Sequence, residues 1–105
     1  LQLVFSTDGV GQTSSVGTTT PIPTNQWVFV QLGRSGSVLK MSFDGVIVAT
    51  NVISGTCFSG TADLLIGALN PSNGLPFNGY IDDFRIRTEA PSLVDFTPPS
   101  SPFTY

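Results

Sequence analysis

The sequence predicts an all-β protein, a sandwich or a barrel, and three observations carry that prediction. Apolar residues never recur at the 3.6-residue period of an amphipathic helix. Short runs of strand-forming residues alternate along the chain with clusters of Gly, Pro, Asn, Asp and Ser. Finally, Asp44-Gly45 stands directly between two such runs. This dipeptide is among the strongest short hairpin signals, because a type I′ turn needs positive φ at both central positions.

Taken in order, Leu1 to Thr7 reads as a strand with Leu1, Leu3 and Phe5 on one face, ended by the turn residues Asp8-Gly9. Val10 to Thr20 is rich in Gly, Ser and Thr and reads as a weak edge strand or an exposed loop. Pro21 and Pro23 stop any ladder there, since neither can donate a backbone hydrogen bond. Trp27 to Leu32 is apolar at almost every position, the pattern of a central strand covered on both faces. Trp27 is therefore expected in the core rather than as a platform for stacking sugars.

After a turn at Arg34 to Ser37, Val38 to Phe43 places Leu39, Met41 and Phe43 on one face and Lys40 and Ser42 on the other. The Asp44-Gly45 turn sets Phe43 opposite Val46, so Val46 and Val48 are expected to join the Leu39 face, with Ile47 and Ala49 opposite. Val52 and Ile53 end this strand, and Ser54 to Thr61 is a loop carrying Cys57. A single cysteine cannot form an internal disulfide, and its neighbour Phe58 suggests a buried, inert thiol. Asp63 to Ala68 reads as a short strand and Asn70 to Pro76 as a turn-rich loop. Phe77 to Arg87 is the longest β-like run. Ile81 and Phe84 stand three apart in it, so Asp82 and Asp83 are expected in a bulge, one carboxylate accepting backbone N–H groups or pairing with Arg85 or Arg34. Residues 89–105 form a proline-rich extended tail anchored by Phe96, Phe103 and Tyr105.

Composition bounds the function. At 105 residues there is one core at most. Charged residues make up only 10%, against roughly 25% in ordinary soluble chains. The polar surface comes instead from Ser, Thr, Asn, Gln and 11 Gly, a palette of secreted and virion-surface β proteins. Four Lys and Arg against seven Asp and Glu give a net charge of -3. This argues against nucleic acid as a partner, because phosphate binding would lack its main driving force. No apolar run approaches the ~18 residues of a membrane-spanning helix, and no amino-terminal stretch reads as a signal peptide.

Catalysis finds little support. The absence of histidine removes triads and most zinc sites. Retaining glycoside hydrolysis needs two carboxyl groups about 5 to 5.5 Å apart. Glu89 is the only glutamate, and Asp82 and Asp83 would face opposite sides of a regular strand. Asp44 is explained by its turn. Asn70, Ser72 and Asn73 offer amide and hydroxyl groups to a glycan on a rim loop, and Phe96, Phe103 and Tyr105 offer assembly contacts if the tail reaches a neighbour instead of strapping its own sheet.

Four segments in order, Asn25 to Val30, Leu39 to Gly45, Leu65-Ile66-Gly67 and Phe77 to Ile86, resemble the concanavalin A-like lectin/glucanase superfamily, specifically its laminin G-like jelly rolls. The resemblance covers about Asn25 to Arg87. Gly79 to Ile86 followed by Phe96-Thr97-Pro98-Pro99 and Pro102-Phe103 is similar to the carboxy-terminal ends of such domains in tailed-bacteriophage virion proteins. This implies a two-sheet antiparallel jelly-roll sandwich over residues 1–88 that lacks its first strands, followed by the tail. The implied role is a non-catalytic virion-surface module (decoration, fibre or spike) that contacts other virion proteins or copies of itself and binds surface glycans. The alternatives are a lectin off the virion and, third, a glycoside hydrolase. Laminin G-like relatives often hold calcium at the sandwich rim, which makes Asp82 and Asp83 the metal candidates.

Overall fold

A computed structural model describes residues 1–11, 14–61, 65–68, 74 and 76–104, with only the backbone of Phe5 and Ser14. The described residues contain no helix, and the strands run antiparallel in two sheets. Strands β1 (Gln2–Phe5) and β2 (Ser14–Gly17) pair with Leu3 opposite Val16. Strands β3 (Val30–Ser35), β4 (Val38–Phe43) and β5 (Val46–Val52) form the second sheet in the order β3-β4-β5.

The β4–β5 hairpin turns at Asp44 and Gly45, whose φ values of 48° and 84° are both positive, as a type I′ turn requires. Leu39, Met41 and Phe43 face the core with Val16 and Ile53, and Leu3, Ile22, Val28, Val48 and Ala49 pack around them. Met41 is completely buried. The core thus lies between the two sheets, where alternation along β4 delivers every second side chain. One detail of register departs from simple alternation. Met41 pairs with Ala49 and Ser42 with Ile47, so Val48 is the extra residue of a β-bulge. That bulge moves Ala49 onto the Met41 side, opposite to expectation, while Val46 stays largely exposed despite pairing with Phe43.

The tail packs along the same sheet. Lys40 Nζ donates to the Leu93 carbonyl, the Asp95 carboxylate accepts the Ile47 N–H at 2.9 Å, and the Phe96 N–H donates to the Gly45 carbonyl at 3.0 Å. Gly33 admits the Pro91 ring, because a Cβ there would lie 2.6 Å from Pro91 Cγ. Asp95 thereby caps an outward N–H of β5, blunting a sheet edge that would otherwise offer itself to another chain.

Several expectations fail, each for a local reason. The Trp27 strand starts only at Val30, and β3 stands at the end of the sheet order instead of its centre. Asn25, at φ 60°, turns the backbone just before it, and Trp27 is 69% exposed, not core. Cys57 is exposed, because the segment after Ile53 leaves the sheet for the surface; Arg34 Nη1 approaches its Sγ at 4.0 Å. Residues 65–68 are not strand, and the start of the expected Asp63 to Ala68 strand lies outside the described residues. Phe77 to Arg87 is also irregular, with Tyr80 at 87% and Ile86 at 68% exposure. Strand propensity alone does not make a strand: the run needs a partner ladder, and Asp83 at φ 49° breaks the extended backbone in its middle. Without a ladder there is no bulge at Asp82 and Asp83.

Candidate functional site

Trp27, Val28 and Phe29, on the approach to β3, line an open depression of about 330 Å³ together with Asp82 and Asp83. Each residue is positioned by a traceable cause. Val28 packs on the core. Phe29 is gripped by Asp44, whose backbone N–H donates to the Phe29 carbonyl at 2.8 Å while its carboxylate accepts the Phe29 N–H at 2.8 Å. The hairpin aspartate therefore extends the ladder one step beyond β4. The Phe29 ring meets Phe96 and Phe103 edge-on, with centroids at 6.0 and 6.3 Å. With Val28 inward and Phe29 clamped, Trp27 is left standing outward.

The acidic pair reaches the same depression through a turn. The Asp82 carboxylate accepts the Asp83 N–H at 2.8 Å, and the positive φ of Asp83 reverses the local backbone. An extended backbone would have sent the two side chains to opposite faces. Arg85 and Arg34 do not pair with them. Arg85 lies over the Phe103 ring at 3.6 Å, and Arg34 donates to the carbonyls of Gly36 and Gly55 at 2.7 and 2.6 Å.

Chemically, the depression joins a flat apolar indole with its own N–H to two solvated carboxylates. Indole faces bind apolar C–H surfaces, and carboxylates accept short, charge-assisted hydrogen bonds from hydroxyl or ammonium groups. Calcium takes six to eight oxygen ligands, whereas no group of three or more His, Cys, Asp or Glu converges among the described residues. Two adjacent carboxylates, one already accepting a backbone N–H, fall short of that shell. Glu89 pairs with Arg87.

Of the residues singled out from sequence, Asp82 and Asp83 enter this site. Phe96 and Phe103 support it from behind through Phe29. Asn70, Ser72, Asn73 and Tyr105 lie outside the described residues. The apolar neighbours of Trp27 in sequence argue for the core, whereas the structure leaves it 69% exposed. The signal that points the other way is the Pro21, Pro23 and Asn25 cluster before it, which makes it the entry of a strand rather than its interior.

An antiparallel β architecture in two sheets, without a helix among the described residues, is that of a jelly-roll sandwich. Comparison with protein families agrees: residues 2–93 match a laminin G family described as the concanavalin A-like lectin/glucanases superfamily, and the chain belongs to it. The match takes in β1 and β2, ahead of the segments that carried the resemblance, and ends at Leu93 inside the tail. Comparisons with curated proteins and with solved structures found no match.

Proposed function

We propose that this domain is a non-catalytic carbohydrate-binding and adhesion module whose ligand stacks on Trp27 and hydrogen-bonds to Asp82 and Asp83. The observation that carries the reading is a tryptophan 69% exposed beside two carboxylates in one depression. An indole face beside hydroxyl-accepting carboxylates offers the apolar and polar contacts that a pyranose ring needs. Superfamily membership supports the same class of ligand. Against catalysis stand the lack of histidine and a lone glutamate paired with Arg87.

The test is a glycan array probed with the wild-type chain and with Trp27→Ala, with and without calcium. Saturable binding that falls roughly tenfold or more in the variant is expected, the scale of truncating a tryptophan hot spot. A flat array for the wild type under both conditions overturns the reading.

The finer reading places the module on a bacteriophage virion surface, as decoration, fibre or spike, next to other virion proteins or copies of itself. Its support is the resemblance of Gly79 to Ile86 and Phe96 to Pro99 to virion protein ends, with a surface made polar by uncharged residues. Immunogold labelling of particles from the source tests it; label confined to host cytoplasm refutes it.

A further inference from the structure

Two largely exposed stretches of the chain meet at one point. In residues 76–90, which carry Asp82 and Asp83, every residue is exposed except Arg85. In residues 99–104, toward the end of the tail, every residue is exposed except Phe103. These two touch: the Arg85 guanidinium lies 3.6 Å from the centre of the Phe103 ring. The first stretch is tied separately at its start, where the Phe77 N–H donates to the Gly67 carbonyl at 2.7 Å.

The Phe103 ring has a second neighbour, Phe29, which it meets edge-on at 6.3 Å and 74°. Phe29 lines the Trp27 depression on the side of β3, whereas Arg85 stands just beyond Asp83 on the acidic side. The series Phe29, Phe103, Arg85 therefore joins the two walls of the depression through a residue of the tail. The Phe29 wall is fixed independently of that residue, because the Phe29 N–H and carbonyl are both bonded to Asp44. Displacement of Phe103 is thus passed to the segment bearing Asp82 and Asp83 and not to the backbone beside Trp27.

We infer that Phe103 is a positioning residue of the depression: seated on Phe29, it holds Arg85, and with it the Asp82–Asp83 segment, at the spacing at which both walls reach one ligand. The effect on binding rests on the carbohydrate reading of the same site; the effect on the empty depression does not. A cation over an aromatic face at a partly exposed site contributes a factor of about two to five. Holding a site in its binding geometry returns at most that factor to affinity. Loss of the Phe103 contact therefore loosens the acidic wall and weakens binding while the core between the sheets stays packed.

Backbone amide relaxation of the ligand-free full chain tests it in three variants. Phe103→Leu keeps an apolar side chain without the aromatic face, Arg85→Gln removes the cation and leaves the tail unchanged, and Phe103→Tyr keeps the ring. In the wild type and Phe103→Tyr the order parameters of Asp82 and Asp83 are expected at the rigid value of about 0.85, and in the other two variants they are expected to fall toward about 0.6. The methyl signal of the buried Met41 is expected to stay in place throughout. On the glycan array, Phe103→Leu and Arg85→Gln are expected to half-saturate at concentrations about two- to fivefold higher than the wild type. Order parameters unchanged in both variants, or a loosened segment with unchanged array affinity, overturn the inference. An array flat for the wild type, with Asp82 and Asp83 still loosened by Phe103→Leu, overturns the carbohydrate reading alone and supports the positioning role of Phe103.

Discussion

Gly45→Ala is the sharpest probe of how the tail is held. Gly45 sits at φ 84°, a region an alanine adopts at a cost of about 1 to 2 kcal/mol. The new methyl would also overlap the Phe96 carbonyl oxygen and lie 2.9 Å from its carbonyl carbon and 3.1 Å from Pro98 Cδ. These are main-chain and ring atoms that cannot rotate aside, so the tail must lift. Lifting breaks the hydrogen bond from Phe96 N–H to the Gly45 carbonyl, about 0.5 to 1.5 kcal/mol. It also separates the Phe96 and Phe29 rings, about 0.5 to 1.5 kcal/mol more. The expected destabilisation is therefore about 2 to 5 kcal/mol. Gly36→Ala is the matched control: φ is 57°, but nothing lies within 4 Å of the new methyl, so only the backbone cost of about 1 to 2 kcal/mol applies. Urea unfolding of the two variants, monitored by Trp27 fluorescence and by circular dichroism, measures the difference. Equal destabilisation would refute the tight seating of the tail on the hairpin.

Other substitutions separate core from surface. Met41→Ala should cost about 2 to 5 kcal/mol in the same unfolding assay because Met41 is fully buried, whereas Trp27→Ala should stay within about 0.5 kcal/mol. The Ser42 hydroxyl is buried without a hydrogen-bond partner among the described residues, so Ser42→Ala should be neutral or stabilising by about 1 kcal/mol, and a loss above that would reveal a hidden partner. Backbone and hydroxyl donors from Val10 and Ser6 hold the Asp8 carboxyl below its usual value of 3.8. A depressed acid contributes stability that is complete above the usual value and is lost as pH falls through the lower folded one. NMR titration of the Asp8 carboxyl should find its midpoint below 3.8, rising only part of the way back in Ser6→Ala, which removes the hydroxyl donor and leaves the Val10 N–H.

The parts of the fold legible in sequence are those whose causes are local. Asp44-Gly45 dictates its own turn, and the alternation of Leu39, Met41 and Phe43 dictates which face is buried. The turn alone could not give the register beyond it, because the bulge at Val48 arises from how β4 and β5 fit together over the core. Cys57 and Trp27 depart from expectation for a related reason. Apolar neighbours in sequence predict burial only if the backbone stays in a sheet, and both residues sit where it does not. The tail anchors Phe96 and Phe103 were legible as aromatics among prolines, but their target, Phe29, is some seventy residues away and carries no local mark.

The failure of the Phe77 to Arg87 strand bears directly on the site. A pleated strand distributes consecutive side chains to opposite faces, so a regular strand there would have split Asp82 from Asp83, and a regular strand from Trp27 would have turned the indole toward the sheet interior. A binding depression needs the reverse, neighbouring groups converging on one point. The positive φ values of Asn25 and Asp83 supply that convergence at the two places where strand-like sequence leaves the ladder. The same residues that make this stretch recognisable as a laminin G-like signature thus serve the site by departing from regular β structure. Restoring extended backbone at Asp83, rather than removing its charge, is the change most damaging to the geometry.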